Sequence, residues 1–214
     1  MNKPPKPPSE KVLKALLEKH ACPLPLHEVR TRFLGNIATP DPAASPLQVL
    51  HAIWGGELPV FDSMDEANAL IAALIQGLWN DLARHQKRNQ PLRLTRVPLE
   101  ATSASLAQLA QIRREELDGF IEGLFNGHEA IDLPERAHRA VGYLREMRSM
   151  VAGLCDLMAR DPNAEDPVEL AATSKQLREL TRIMETEMHE AVLSCTRARR
   201  HMIDTTSATH PTVH

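Results

Sequence analysis

Ser45-Pro-Leu-Gln-Val-Leu-His-Ala-Ile-Trp54, Gly55-Gly-Glu-Leu-Pro-Val-Phe-Asp62 and Ser63-Met-Asp-Glu-Ala-Asn-Ala-Leu-Ile-Ala-Ala-Leu-Ile-Gln-Gly-Leu-Trp-Asn-Asp-Leu82 follow one another without a break. Ser45 can accept a hydrogen bond from a first-turn amide, and Pro46 stands where a missing N–H costs nothing, so a helix starts there. Gly55 and Gly56 tolerate the positive φ that ends it. Ser63 and Glu66 have the spacing of a capping box. Met64, Ala67, Leu70, Ile71, Leu74, Ile75, Leu78 and Leu82 then recur at threes and fours, which is one buried face of a long amphipathic helix.

The same signals organise the rest. Residues 1–8 are a proline-rich tail that cannot be helical. Ser9 caps a short helix carrying Val12, Leu13, Leu16 and Leu17, and a second short helix runs from about Leu26 to Leu34, where Gly35 and Asn36 are expected to stop it. The long helix of the central stretch should reach Lys87 or Arg88. Residues 89–101 form a linker, read as a loop because Leu92-Arg-Leu-Thr-Arg-Val97 has strand-like alternation but no partner strand.

Thr102 or Ser103 opens a helix whose face is Leu106, Leu109, Ala110, Leu117, Phe120, Ile121, Leu124 and Phe125. Gly119 and Gly123 inside it each cost roughly 1 kcal/mol against alanine, so they are expected where another backbone comes close. Asp132, Pro134 and Glu135 signal the next start, and Ala137, Ala140, Leu144, Met147, Val151, Leu154 and Met158 mark its face until Asp161 and Pro162. Asp166 and Pro167 open the last helix, with Leu170, Leu177, Leu180, Met184, Ala191, Ala198 and Met202 as its seam, interrupted by Thr173, Glu187 and Ser194. Glu187 either sets the register of that seam or faces solvent. The last two helices should pair as an antiparallel hairpin. The expected fold is all-α, a multi-helix bundle of about five to seven helices: one domain over 9–204, comprising 9–88, the linker 89–101 and 102–204, followed by a frayed tail over 205–214.

Composition narrows the chemistry. The 214 residues carry a formal net charge of -3 and only 3% aromatics, which does not announce a nucleic-acid partner. The basic residues Arg84, His85, Lys87, Arg88, Arg93 and Arg96, with Arg197, Arg199, Arg200 and His201, are the candidates for that reading. Cys22, Cys155 and Cys195 are far apart and unpaired in spacing, so neither a disulfide framework nor a thiolate zinc site is encoded, and a cytoplasmic location fits. No run approaches the ~18 apolar residues of a membrane span.

No catalytic constellation is found: there is no Gly-x-Ser-x-Gly, no phosphate loop and no His-Glu-x-x-His. The expectation is a non-enzyme without cofactor. The competing possibility is a di-metal carboxylate site, because Glu135-Arg-Ala-His138 has the Glu-x-x-His spacing and Glu187 and His189 are further ligand types; a second copy of the motif is missing.

Several of these segments resemble one family. Leu26-His27 leading to Phe33-Leu34-Gly35, the turn from Pro46 to Trp54-Gly55-Gly56, Phe61 before Ser63-Met-Asp-Glu-Ala, and Trp79-Asn80 are similar to the YecA/YgfB-like family of uncharacterised bacterial proteins, over roughly residues 24–88. Leu117-Asp-Gly119-Phe120-Ile-Glu-Gly123-Leu124 is similar to that family's Gly-Phe-Leu-x-Gly-Leu segment, in a different place in the chain order. The resemblance implies a compact all-α fold, a bacterial cytoplasmic setting, possible dimerisation and no established catalytic activity. The C-terminal Cys/His metal segment of some members has no counterpart, since only His201, His210 and His214 follow Cys195. An accessory or regulatory protein acting through protein contacts or self-association is therefore expected, with Trp54, Phe61, Trp79, Gly119, Phe120 and Gly123 as candidate interaction residues.

Overall fold

The computed structural model describes residues 8–160 and 166–208, and among them there are helices and no strand. The helices are α1 (Glu10–Lys19), α2 (Leu26–Ala38), α3 (Pro46–Ile53), a composite α4, α5 (Ser103–Phe125), α6 (Glu135–Arg160) and α7 (Pro167–Ala208). α4 runs without interruption through an α-helical stretch (Met64–Ile71), a π-helical one (Ala72–Trp79), a short α return (Asn80–Leu82) and a closing 3-10 turn (Ala83–Gln86). Arg136 at the start of α6 pairs with Glu187 and Glu190, far along α7, so these two helices form the expected antiparallel hairpin. The stop expected at Asp161 and Pro162 lies outside the described residues.

Most helix starts follow from their caps. The side chains of Ser9, Ser45, Ser63 and Thr102 each accept a first-turn amide, and Gln48 completes a reciprocal capping box with Ser45. Asp166 accepts from Val168 at 2.9 Å at the head of α7. Gly55 and Gly56 take φ of 77° and 104°, as the turn after α3 requires.

Four expectations are corrected. α2 does not stop at Gly35 and Asn36 but continues to Ala38, with Thr39 as its cap. Gly35 is interior because a Cβ there would lie 2.6 Å from the Leu124 amide nitrogen of α5. α6 starts at Glu135 rather than at an Asp132 capping box, and α7 continues to Ala208, beyond the boundary expected at 204. Within α4 the Asn80 amide bonds the Ile75 carbonyl five residues back, so regular α-geometry gives way to wider turns. The buried positions Leu70, Leu74, Leu78 and Leu82 are each four apart. In an unbroken α-helix that spacing drifts round the axis, and the π stretch keeps it facing one way.

α2 sits between two apolar clusters. Val29, Phe33 and Ile37 pack with α1, α3 and α4, while Leu34 and Ala38 join α5, α6 and α7. Each fully buried Phe or Leu here contributes about 1.5–3 kcal/mol of transfer free energy. From Met188 to Thr196 every residue of α7 except the half-buried Glu190 is buried, because α2, the end of α4 and α6 surround it. Arg199 then donates to the Ile37 and Thr39 carbonyls at 3.1 and 3.4 Å, capping the C-terminus of α2 from the far end of the chain.

The linker is a strap. Leu92 and Leu94 are buried and Arg93 is exposed, the alternation of a strand without a ladder. Its polar groups bond side chains instead: the Leu94 amide donates to Glu185 at 2.9 Å, the Thr95 amide to Glu116 at 2.8 Å, and Arg113 donates to the Thr95 carbonyl at 2.7 Å. Arg113 and Glu116, one turn apart on α5, form a buried ion pair. Arg113 also donates to Thr181 of α7 at 3.1 Å, so one guanidinium joins α5, the strap and α7.

Candidate protein-contact face

The residues singled out from sequence are used inside the fold. Gly119 lies 2.5 Å, measured from where its Cβ would stand, from the Glu28 carbonyl, and a Cβ on Gly123 would overlap the Arg32 carbonyl. These glycines do bring another backbone close, but it is α2 of the same chain. Phe120 is fully buried beside them. Trp54 is half-buried and donates its indole N–H to the His20 carbonyl at 2.9 Å; Phe61 meets the His20 ring edge-on at 5.3 Å. Trp79 packs half-buried against the cluster of α1–α4, its indole N–H buried without a hydrogen-bond partner. Gly119, Phe120 and Gly123 are thus taken up within the chain, while Trp54, Phe61 and Trp79 pack against the core and are only part-buried.

The candidate metal ligands diverge. Glu135 and His138 are exposed at the head of α6, Glu187 is held by both Arg136 nitrogens at 2.7 and 3.1 Å, and His189 is buried against the end of α4. Glu187 lies on the hairpin contact with α6, its side chain 14% exposed, and not on an open solvent face. Among the described residues no three His, Cys, Asp or Glu side chains converge.

The basic set is partly spoken for. Arg84 pairs with Asp81 at 2.9 Å, Arg93 with Glu185 at 2.6 Å, and Arg199 is committed to the carbonyls of α2. Lys87, Arg88 and Arg96 are exposed.

A cleft of about 590 Å³ beside the α1–α2 turn holds Cys22, His27 and Glu115. His27 Nε2 lies 2.6 Å from Glu115. Burial pushes the Cys22 thiol up, so the form present near neutrality is the poorly nucleophilic thiol. Burial raises Cys155 as well and pushes Cys195 up to about 12. No described helix is long and apolar enough to cross a membrane.

What remains is a surface that sequence reasoning passed over. Tyr143, Met150 and Leu157 on α6 are 52%, 62% and 56% exposed, and they stand seven residues apart. The spacing places them on one stripe of the helix, flanking the buried face that runs through Leu144, Met147 and Val151. A Cβ at Gly142 or Gly153 would meet nothing within 4 Å, so the backbone is open there too. The signal was a second apolar period in α6, offset by one position from the core period. No family model, no curated protein and no solved structure matches the chain.

Proposed function

We propose that the chain is a non-enzymatic protein-contact module that works as a homodimer, with the outer face of the α6–α7 hairpin as its interface. One observation carries this reading: Tyr143, Met150 and Leu157 are exposed at equal steps either side of Met150. A two-fold axis through Met150 sets Tyr143 against Leu157 of a second copy and returns the same contact on the other side, as an isologous interface demands.

The available area fits. α6 has 26 residues, and at ~1.5 Å each it is about 39 Å long. A hairpin face two helix diameters wide, about 20 Å, then offers about 800 Å² per partner, the size of a standard specific interface. The resemblance of residues 24–88 to the YecA/YgfB-like family supports the same class, a bacterial accessory or regulatory protein of the cytoplasm. The test is solution mass by light scattering, alongside a Met150→Glu variant. A mass near twice 23.8 kDa that Met150→Glu halves is expected. A wild type that stays at the monomer mass at every concentration contradicts the proposal.

A further inference from the structure

Two buried imidazoles lie on the elements that pack together where the N-terminal helices are fastened to the C-terminal ones. His85, 5% exposed, lies in the closing 3-10 turn of α4, and its Nδ1 is 2.8 Å from the Gln90 carbonyl at the entry to the strap. His189, 9% exposed, lies on the largely buried stretch of α7, and neither of its ring nitrogens has a hydrogen-bond partner; the Arg88 carbonyl is near but outside hydrogen-bond geometry. This turn is where α4 packs against α7.

We propose that His85 and His189 form an acid-operated latch: when neutral they hold the last turn of α4 and the head of the strap against α7, and on protonation they release that corner. Protonating both rings would place two buried cations on elements packed against each other, where they repel, and neither His189 nitrogen has a hydrogen bond to stabilise the added proton. The surroundings supply little relief. Around His85 are Arg84 and Asp81 on α4 and His189 on α7; around His189 are Glu190 on α7 and the backbone of Arg88. α2 brings Arg30 to the same corner beside Leu82, and the strap brings Arg93, which is held by Glu185.

Burial holds both imidazoles below their ordinary value, and His189 adds to the preference of His85 for the neutral form. A group depressed in this way contributes stability that is fully present above its unfolded value, about 6.5. That contribution is lost as the pH falls from there through the folded values, by about tenfold in the opening equilibrium per pH unit and proton. The α2–α5 crossing carries His27, which is already paired with Glu115 at 2.6 Å, and should stay closed.

Hydrogen exchange of the full chain at pH 7.5 and 5.5, corrected for intrinsic rates, tests the latch. Protection over 80–94 should fall at least tenfold on acidification while 117–124 keeps its own, and His85→Gln with His189→Gln should abolish that difference. Uniform loss along the chain, or the same local loss in the double variant, overturns the proposal. Should the double variant not fold, ring titrations of the ten histidines of the wild type by NMR decide. Two rings titrating well below the ordinary value support the latch, and none doing so contradicts it.

Discussion

A Cβ on Gly123 would overlap the Arg32 carbonyl, so α5 and α2 touch there backbone to backbone. Gly35 and Gly119 repeat the contact from either side of the crossing. Gly123→Ala should therefore force the helices apart and destabilise by about 1–3 kcal/mol or more, the usual range for overpacking. Gly153→Ala on α6, where the added methyl meets nothing, should instead stabilise by about 0.5–1 kcal/mol through helix propensity. Urea midpoints of the two variants check the opposite signs; equal signs would refute the assignment of the crossing.

The Arg113–Glu116 pair is buried with 5% and 1% of its side chains exposed. Glu116→Ala leaves the guanidinium without its carboxylate and frees the Thr95 amide, so a loss of about 3–5 kcal/mol is expected. Replacing both residues by apolar ones should cost less than the single change. Thermal unfolding of the single and double variants measures the difference.

Ala21 closes α1 at φ 48°, with the Cys22 amide bonded to the Leu17 carbonyl at 2.9 Å. That is the position at which glycine normally stands, because alanine pays a steric penalty in left-handed backbone. Ala21→Gly should raise stability by about 0.5–1 kcal/mol despite the looser unfolded chain. A lower denaturation midpoint would show that the turn is not strained.

Thiol labelling separates the cysteines. Cys22 and Cys155 are half-buried, while Cys195 is buried with its thiol pushed up to about 12. Iodoacetamide at pH 8 should modify the first two slowly and Cys195 only after denaturation. Peptide mass mapping reads this out, and labelling of native Cys195 would place α7 wrongly in the core.

Where local chemistry sets an element, it was legible. Ser45, Ser63 and Thr102 announce their helices, and the alternating core positions of α6 are buried except for the half-buried Leu154. Tertiary contacts hid the rest. Gly35 reads as a stop in isolation and is a close-packing position only because α5 lies across it. The π stretch is written in the steps of four from Leu70 to Leu82, a departure too small to outvote a helical period. Arg113, Glu116 and Arg199 look like surface charges until the strap and α2 supply their partners. The face of α6 was overlooked because its stripe neighbours the core stripe, and only exposure separates the two.

The two-fold axis through Met150 can be tested by one oxidation. In the proposed dimer the two thiols of Met150→Cys would face each other across the axis, and a disulfide between them needs a Cα separation of ~4.4–6.8 Å. Val60→Cys, 97% exposed on the loop before α4, serves as the control. Mild oxidation should convert Met150→Cys rapidly and completely to a covalent dimer on a non-reducing gel while Val60→Cys stays largely monomeric. Equal or absent cross-linking in the two variants would contradict the interface.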